Sequence, residues 1–294
     1  MPDRGRRPNF VFIGADKAGS TWLDRMLRAH PQCYVPPAKD VYFFDRYYDR
    51  GLAWYTRLFA GAPREARAVG ELSHDYLYSV DAAARIARDL PDVKLIVFLR
   101  DPASRSFSEY LYLLRSGERF DSFADAVARR PEILEHSRYA SHLGPYLERF
   151  GPRVGTFLIE RLLQDPRELA HDVYRFLGLD PFDGVEFDER VLPASRPRSV
   201  LAARAAKTGA SAARAAGLAN VVGVVKRSRL GGALYRPYDD VERPRLSDAE
   251  LRFVADELAD DLRELAKLVD LPIAREWKTA AAAPESFATA GAGG

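Results

Sequence analysis

At 294 residues the chain is long enough to bury a full core, as one large domain or two small ones. Its 47% hydrophobic and 29% charged residues are the balance of a globular protein, and a net charge of +2 gives no global drive toward nucleic acid or membranes. A single cysteine, Cys33, excludes an internal disulfide framework and a cysteine-rich metal centre, and it fits a reducing compartment. Residues 1–8 are polar and basic with no long apolar run behind them, so they read as a disordered terminus rather than a secretory signal. No run reaches the length of a transmembrane helix, and the expected location is cytoplasmic. The preference for Arg over Lys, with abundant Ala, points to a GC-rich bacterial genome.

Residues 10–13, Phe-Val-Phe-Ile, are an apolar run that predicts a buried strand. Gly14 to Gly19 make a short turn, and Leu23, Met26 and Leu27 then recur on one helical face. A strand, a Gly-bounded loop and a helix start aim backbone N–H groups and the positive helix end at one point, which makes an anion site. A Walker A loop has the same Gly spacing, and Thr21 keeps its hydroxyl. Ser20, however, stands where the Walker lysine belongs, and the lysine comes three residues earlier, at Lys17. A kinase needs that lysine on the β/γ-phosphates and a Mg²⁺ held by the hydroxyl and a distal Asp. The displaced Lys17 therefore suggests a different anion.

Further along, 32–35 is a short strand candidate, and 38–45 is an aromatic stretch expected to pack near the first strand. Trp54, Tyr55, Leu58 and Phe59 share a helical face. Residues 68–72 read as a strand ending in the polar cluster Glu71, Ser73, His74, Asp75 and Tyr76, and 82–90 as a helix stopped by Pro91. Residues 93–99 are the clearest buried strand. They end at Arg100-Asp101-Pro102, where the Pro starts a helix carrying Phe107, Tyr110, Leu111 and Leu114. A helix over 138–150 and a fifth strand over 154–159 follow, then a helix with Asp165 as N-cap, Pro166 in its first turn and Gly178 as its stop. Strands alternating with helices predict an α/β fold with a central, mainly parallel five-stranded sheet, whose ligands bind beyond the carboxyl ends of the strands. Lys17, Asp40, residues 71–75 and Arg100 all fall there.

Residues 191–238 contain no acidic residue and many arginines, and they are expected to be a mobile or partly helical excursion over the mouth of the site. The arginines are spread without aromatic interleaving, which does not make a nucleic-acid site. Ser247 and Glu250 form a capping box for a long amphipathic helix, and 279–294 is an Ala/Gly-rich tail expected to be disordered. Asp, Glu and His show no metal-ligand spacing; His30, His136, His142 and His171 read as helix-surface residues.

Two motifs decide the family resemblance. The first, Lys17, Gly19, Ser20, Thr21 and Leu23, fits the pattern K-x-G-[ST]-[ST]-x-L. The second, Arg100, Pro102, Arg105, Ser108 and Tyr110, fits R-x-P-x-x-R-x-x-S-x-Y. In kind, order and separation they resemble the 5′-phosphosulfate and 3′-phosphate motifs of sulfotransferases that use 3′-phosphoadenosine 5′-phosphosulfate (PAPS). The similarity runs over 9–278 and is nearest to the heparan-sulfate-type and bacterial branch, whose K-E-x-x-F-F-D segment is matched by Lys39-Asp-Val-Tyr-Phe-Phe-Asp45. The resemblance implies a P-loop-like three-layer fold and a donor site made of Lys17, Ala18, Gly19, Ser20, Thr21, Trp22, Arg100 and Ser108, with no metal. Arg196 and Arg198 would belong to a basic loop over the 3′-phosphate, and Arg105 by itself reads as an exposed helix residue. Lys17 would stabilise the bridging oxygen as charge builds on the leaving phosphate. The implied reaction moves a sulfuryl group to a hydroxyl, or an amine, of a small molecule, sugar or lipid.

Asp40 matches the family's glutamate base and is one methylene shorter, with a salt bridge to Lys39 or Lys17 as its alternative role. His74 and Glu71 are its rivals as base. Leu72 stands where heparan-type members often carry a lysine, which suggests an acceptor that is not a highly anionic glycan. Tyr42, Tyr76 and Tyr112 are the expected pocket walls. Two other readings stay open at this point: a P-loop-type small-molecule kinase, and a non-catalytic module in which the basic segment binds an anionic polymer.

Overall fold

The computed structural model describes residues 6–187 and 244–283, with two short strands and isolated helical positions between them. Five strands form one sheet: β1 (Phe10–Gly14), β2 (Cys33–Tyr34), β3 (Ala68–Leu72), β4 (Lys94–Leu99) and β5 (Val154–Leu158). Their order is β2-β3-β1-β4-β5, and every neighbouring pair is parallel. A parallel sheet flanked by helices is covered on both faces, so its central strands need continuous apolar runs rather than alternation. Phe10 to Ile13 and Leu95 to Leu99 are accordingly all fully buried. At Gly70 a side chain has no room: a Cβ there would stand 2.2 Å from the Phe10 carbonyl oxygen of the neighbouring strand.

The flanking helices are α1 (Ser20–Ala29), α2 (Leu52–Arg57), α3 (Val80–Asp89), α4 (Pro102–Arg115), α5 (Phe123–Arg129), α6 (Glu132–Glu135), α7 (Tyr139–Phe150), α8 (Arg161–Gln164), α9 (Pro166–Leu177), α10 (Asp248–Leu268), α11 (Ile273–Glu276) and α12 (Lys278–Ala282). Local chemistry sets their ends where the sequence places them. Asp165 caps α9 by accepting the Glu168 N–H, Gly178 closes it at φ +78°, and the Ser247/Glu250 capping box opens α10. None of the helices among the described residues is long and apolar enough to cross a membrane.

Two expectations differ from the structure, and a third segment is described only in part. The terminus is tied down from Arg6 onward: its guanidinium donates to the Pro63 and Ala66 carbonyls, Arg7 reaches Asp89, and Pro8 is buried. The tail is packed as far as residue 283. Thr279 and Ala280 are buried in α12, and the Thr279 N–H and hydroxyl both donate to Asp101, at 2.8 and 2.9 Å. The basic segment contains two strands, β6 (Ser195–Pro197) and β7 (Tyr235–Pro237), paired antiparallel with β6 beside α4. Residues 1–5 and 284–294, and most of 188–243, lie outside the described residues.

Candidate active site

Because the sheet is parallel, β1, β3 and β4 deliver their following residues to one edge. β1 leads into the loop 15–19, β3 into Ser73-His74-Asp75, and β4 into Arg100. Helix α1 starts directly after the loop, with Gly19 as N-cap at φ +87°. A Cβ at Gly19 would stand 2.3 Å from Ile159 Cδ1, so both the dihedral and the space call for glycine. Ala18 is fully buried, Ser20 and Thr21 are half-buried, and Trp22 is packed at a ring distance of 6.2 Å from Phe98. The buried Trp22 Nε1 has no acceptor among the described residues, which leaves one N–H donor unsatisfied there at the start of α1.

Lys17 and Arg100 meet here. The Arg100 Nη1 donates to the Lys17 carbonyl at 2.8 Å, and the Tyr139 hydroxyl donates to the Arg100 carbonyl at 2.9 Å. Burial lowers the Arg100 pKa from its ordinary value. Lys17 adopts φ +55°, a strained conformation for a residue with a side chain. Its Nζ lies 3.1 Å from Glu109 Oε2 and 3.7 Å from the centre of the Tyr112 ring. Burial pulls its pKa down, but Glu109, Asp16 and Tyr112 outweigh that and leave it raised.

The loop is fixed from beneath. Arg105 is fully buried, and its Nη1 bonds Asp16 Oδ1 at 2.9 Å. The same guanidinium donates to Ser137 Oγ and the Ile133 carbonyl. The Tyr78 hydroxyl donates to Asp16 Oδ1 at 2.6 Å, and His136 stacks on the Tyr78 ring at 3.7 Å. Burial works to raise the Asp16 pKa, but Arg105 above all holds it well below the usual carboxylate value. Arg105 is therefore not the exposed helix residue expected from its motif position; it ties the loop to α4 and to the turn before α7.

A second cluster stands beside the loop. Lys39 Nζ donates to Thr21 Oγ1 at 3.2 Å, which brings the 39–45 segment against the start of α1. Asp40, at φ +59°, donates its N–H to the Leu72 carbonyl, and its Oδ1 lies 3.1 Å from His74 Nδ1. The His74 Nε2 lies 3.2 Å from Asp75 Oδ1, and Arg46 closes the chain by bonding Asp75. Burial opposes protonation of His74, but Asp40 and Asp75 outweigh it and its pKa is raised. The two carboxylates on either side of the ring, Asp40 at Nδ1 and Asp75 at Nε2, favour its protonated form and fix its orientation against Asp40.

The third rival, Glu71, is sealed in the core. It accepts hydrogen bonds from Ser73 Oγ at 2.7 Å, Tyr76 OH at 2.8 Å and Tyr55 OH at 3.3 Å. Burial pushes its pKa up to about 7, but with no exposed surface it reaches no acceptor.

Comparison with known proteins decides the family. Residues 7–192 match the family described as Sulfotransferase domain. The chain belongs to this family. Heparan sulfate glucosamine 3-O-sulfotransferase 3A1 of Mus musculus is 35% identical over 186 residues, 58% of this chain and 46% of the relative. The bifunctional heparan sulfate N-deacetylase/N-sulfotransferase 3 of Homo sapiens is 31% identical over 202 residues, 60% of this chain and 23% of the relative. The chain thus spans less than half the length of these relatives. Among solved structures, a sulfotransferase from Alicyclobacillus acidocaldarius superposes with a TM-score of 0.57 at 30% identity, covering 74% of this chain and 96% of that one. The α/β fold with its parallel five-stranded sheet is the sulfotransferase fold.

Within this sulfotransferase domain, Lys17, Gly19 to Trp22 and Arg100 form one cluster, and Asp40 with His74 the adjoining one. Ser108 is half-buried on α4, in a helix that begins two residues after Arg100. Arg196 lies in β6, near α4; its side chain and the whole of Arg198 are outside the described residues. Tyr76 is core rather than pocket wall: it is fully buried and its hydroxyl accepts the Phe43 N–H. Tyr42 is nearly buried against His74, and Tyr112 is 37% exposed. His30 is buried at the end of α1, with Nε2 2.9 Å from the Asp180 carbonyl, and is not a helix-surface residue. His136 likewise packs into the site beside Asp16. Asp16, Lys39 and Glu109 were missed as site residues. The partners of Asp16 and Glu109 lie far along the chain, and only the alternation of sign within Asp16-Lys17 hinted that the loop needs partners of both charges.

Proposed function

We propose that this domain transfers a sulfuryl group from PAPS to a hydroxyl of a small-molecule, sugar or lipid acceptor. The carrying observation is the hydrogen bond from the Arg100 guanidinium to the Lys17 carbonyl at 2.8 Å, which joins the ends of two strands at one corner beside a helix N-terminus. Phosphate recognition by Arg100 and Ser108, and charge stabilisation by Lys17, fit that corner. The unsatisfied Trp22 N–H supports an outside oxygen at the same place. In this reading Asp40, oriented by His74, takes the acceptor proton. The acceptor oxygen forms its bond to sulfur as the bond from sulfur to the bridging oxygen breaks, and that oxygen keeps the electron pair on the departing adenosine 3′,5′-bisphosphate. The transfer proceeds without a metal ion. Leu72, in the run where heparan-type members often carry a lysine, supports an acceptor less anionic than heparan sulfate. One cysteine and an Arg- and Ala-rich composition support a cytoplasmic, bacterial setting.

Calorimetric titration tests the donor site. The protein is expected to bind adenosine 3′,5′-bisphosphate without metal, and Arg100→Ala to weaken binding at least about tenfold, the size of losing a charge-assisted phosphate contact. Binding of ATP with Mg²⁺ in preference to the bisphosphate would overturn the reading. Asp40→Asn should keep bisphosphate affinity and lower kcat by roughly 10²- to 10⁴-fold, the usual worth of a general base.

A further inference from the structure

Helix α4 carries opposite charges one turn apart, Arg105 and Glu109, while the loop carries the complementary charges in adjacent positions, Asp16 and Lys17. Arg105 meets Asp16 at 2.9 Å and Glu109 meets Lys17 at 3.1 Å. The two contacts differ in burial. The Arg105 side chain has no exposed surface and that of Asp16 has 7%, so opening that pair would strand two desolvated charges. Lys17 and Glu109 keep 22% and 12% exposure, and Lys17 leans on the half-open ring of Tyr112. This second contact is the one that can exchange. Lys17 therefore rests on a carboxylate and a ring face, although its proposed task is to face an oxygen of the donor.

We infer that Glu109, with Tyr112, is a resting dock for Lys17: an internal anion that the phosphosulfate displaces on entry and that recaptures the ammonium as the bisphosphate leaves. The inference rests on the donor-site reading above. Glu109 acts through Lys17 and touches no reacting atom, so it is a positioning residue. Between turnovers the dock keeps a largely desolvated ammonium compensated. At product release it competes with the leaving phosphate for the same cation, which loosens the product.

Glu109→Gln is expected to bind adenosine 3′,5′-bisphosphate roughly three- to tenfold more tightly, the scale of one partly exposed ion pair, with slower dissociation. Tyr112→Leu should act in the same direction with a smaller effect. Glu109→Asp, which keeps the charge on a shorter arm, should fall between Gln and wild type and serves if Gln fails to fold. In a Lys17→Gln background the Glu109→Gln gain should vanish, a result that a purely structural Glu109 would not produce. Equal or weaker binding by Glu109→Gln at an unchanged melting temperature overturns the dock, as does a gain that persists without Lys17. A wild-type protein that binds no bisphosphate overturns the donor site itself, and the dock with it, so the two failures read differently.

Discussion

Replacing Arg105 by Met would leave Asp16 buried with its principal cation gone, and the expected cost is about 3–5 kcal/mol in urea denaturation. Adding Asp16→Asn should recover part of it, because the second charge then disappears too. Glu71 makes the opposite case, a carboxyl that the fold holds without a cation among its named partners. Its pKa rises from 4.5 to about 7, so between those values the folded protein keeps a proton that the unfolded chain has lost. Stability from this group is therefore present below about pH 4.5 and is lost as pH rises through 7. Glu71→Gln, which cannot ionise, should gain on the wild type when denaturation at pH 8 is compared with pH 5. These two residues also mark what single-residue reading can reach. Lys17, Arg100 and Arg105 all sit in motifs of fixed local spacing, and the roles of Lys17 and Arg100 were read from the resemblance those motifs carry. The role of Arg105 was not, because its partner Asp16 lies 89 positions away, and no local pattern separates a sealed arginine from an exposed one.

At the scale of elements, the loop between β1 and α1 is held by positive φ at Lys17 and Gly19 and by the Arg105–Asp16 contact. Gly19→Ala must place a Cβ at φ +87° and against Ile159, which costs about 1–2 kcal/mol for the dihedral alone. The expected result is a lower melting temperature together with weaker bisphosphate binding, since the same backbone shapes the donor corner. All five sheet strands were anticipated, β1 and β4 as continuous apolar runs and the others as shorter candidates, and α9 and α10 were legible from their caps, because burial on both faces and capping are written into neighbouring residues. Helices α5, α6 and α8, of four to seven residues, were not, since so few residues carry little periodicity. The 38–45 segment, which contacts the end of β3 and the start of α1, was recognised as aromatic and expected near the first strand. Its backbone path was not, because Asp40 and Tyr42 take positive φ without being glycine, under tertiary contacts that no local rule announces.

At the scale of the whole molecule, the carboxyl-terminal residues close the corner that holds Arg100. Trp277 is 1% exposed and donates Nε1 to Glu160 Oε2 at 3.1 Å, while Glu160 Oε1 accepts the Asp101 N–H at 2.8 Å. Thr279 saturates Asp101 from the other side and accepts the Ala103 N–H at 3.0 Å. Thr279→Val would leave that buried carboxylate and one amide short of partners, at an expected cost of about 1–3 kcal/mol, read as a fall in the denaturation midpoint. Reading the sequence placed the Arg100 junction at a strand end but took residue 279 as the start of a disordered tail, because Ala-rich composition says nothing about a single buried threonine.

The Asp101–Thr279 contact spans 178 positions, which gives it a meaning for vectorial synthesis. The sheet strands emerge from the ribosome long before Thr279 does. The junction after β4 must therefore wait, with a capping carboxylate half satisfied, until almost the whole domain has been made. A polypeptide released early would carry both sulfotransferase motifs and still lack the hydrogen bonds that Thr279 gives to Asp101, the neighbour of Arg100. The proposed donor corner thus receives these hydrogen bonds only from residues made near the end of the described chain.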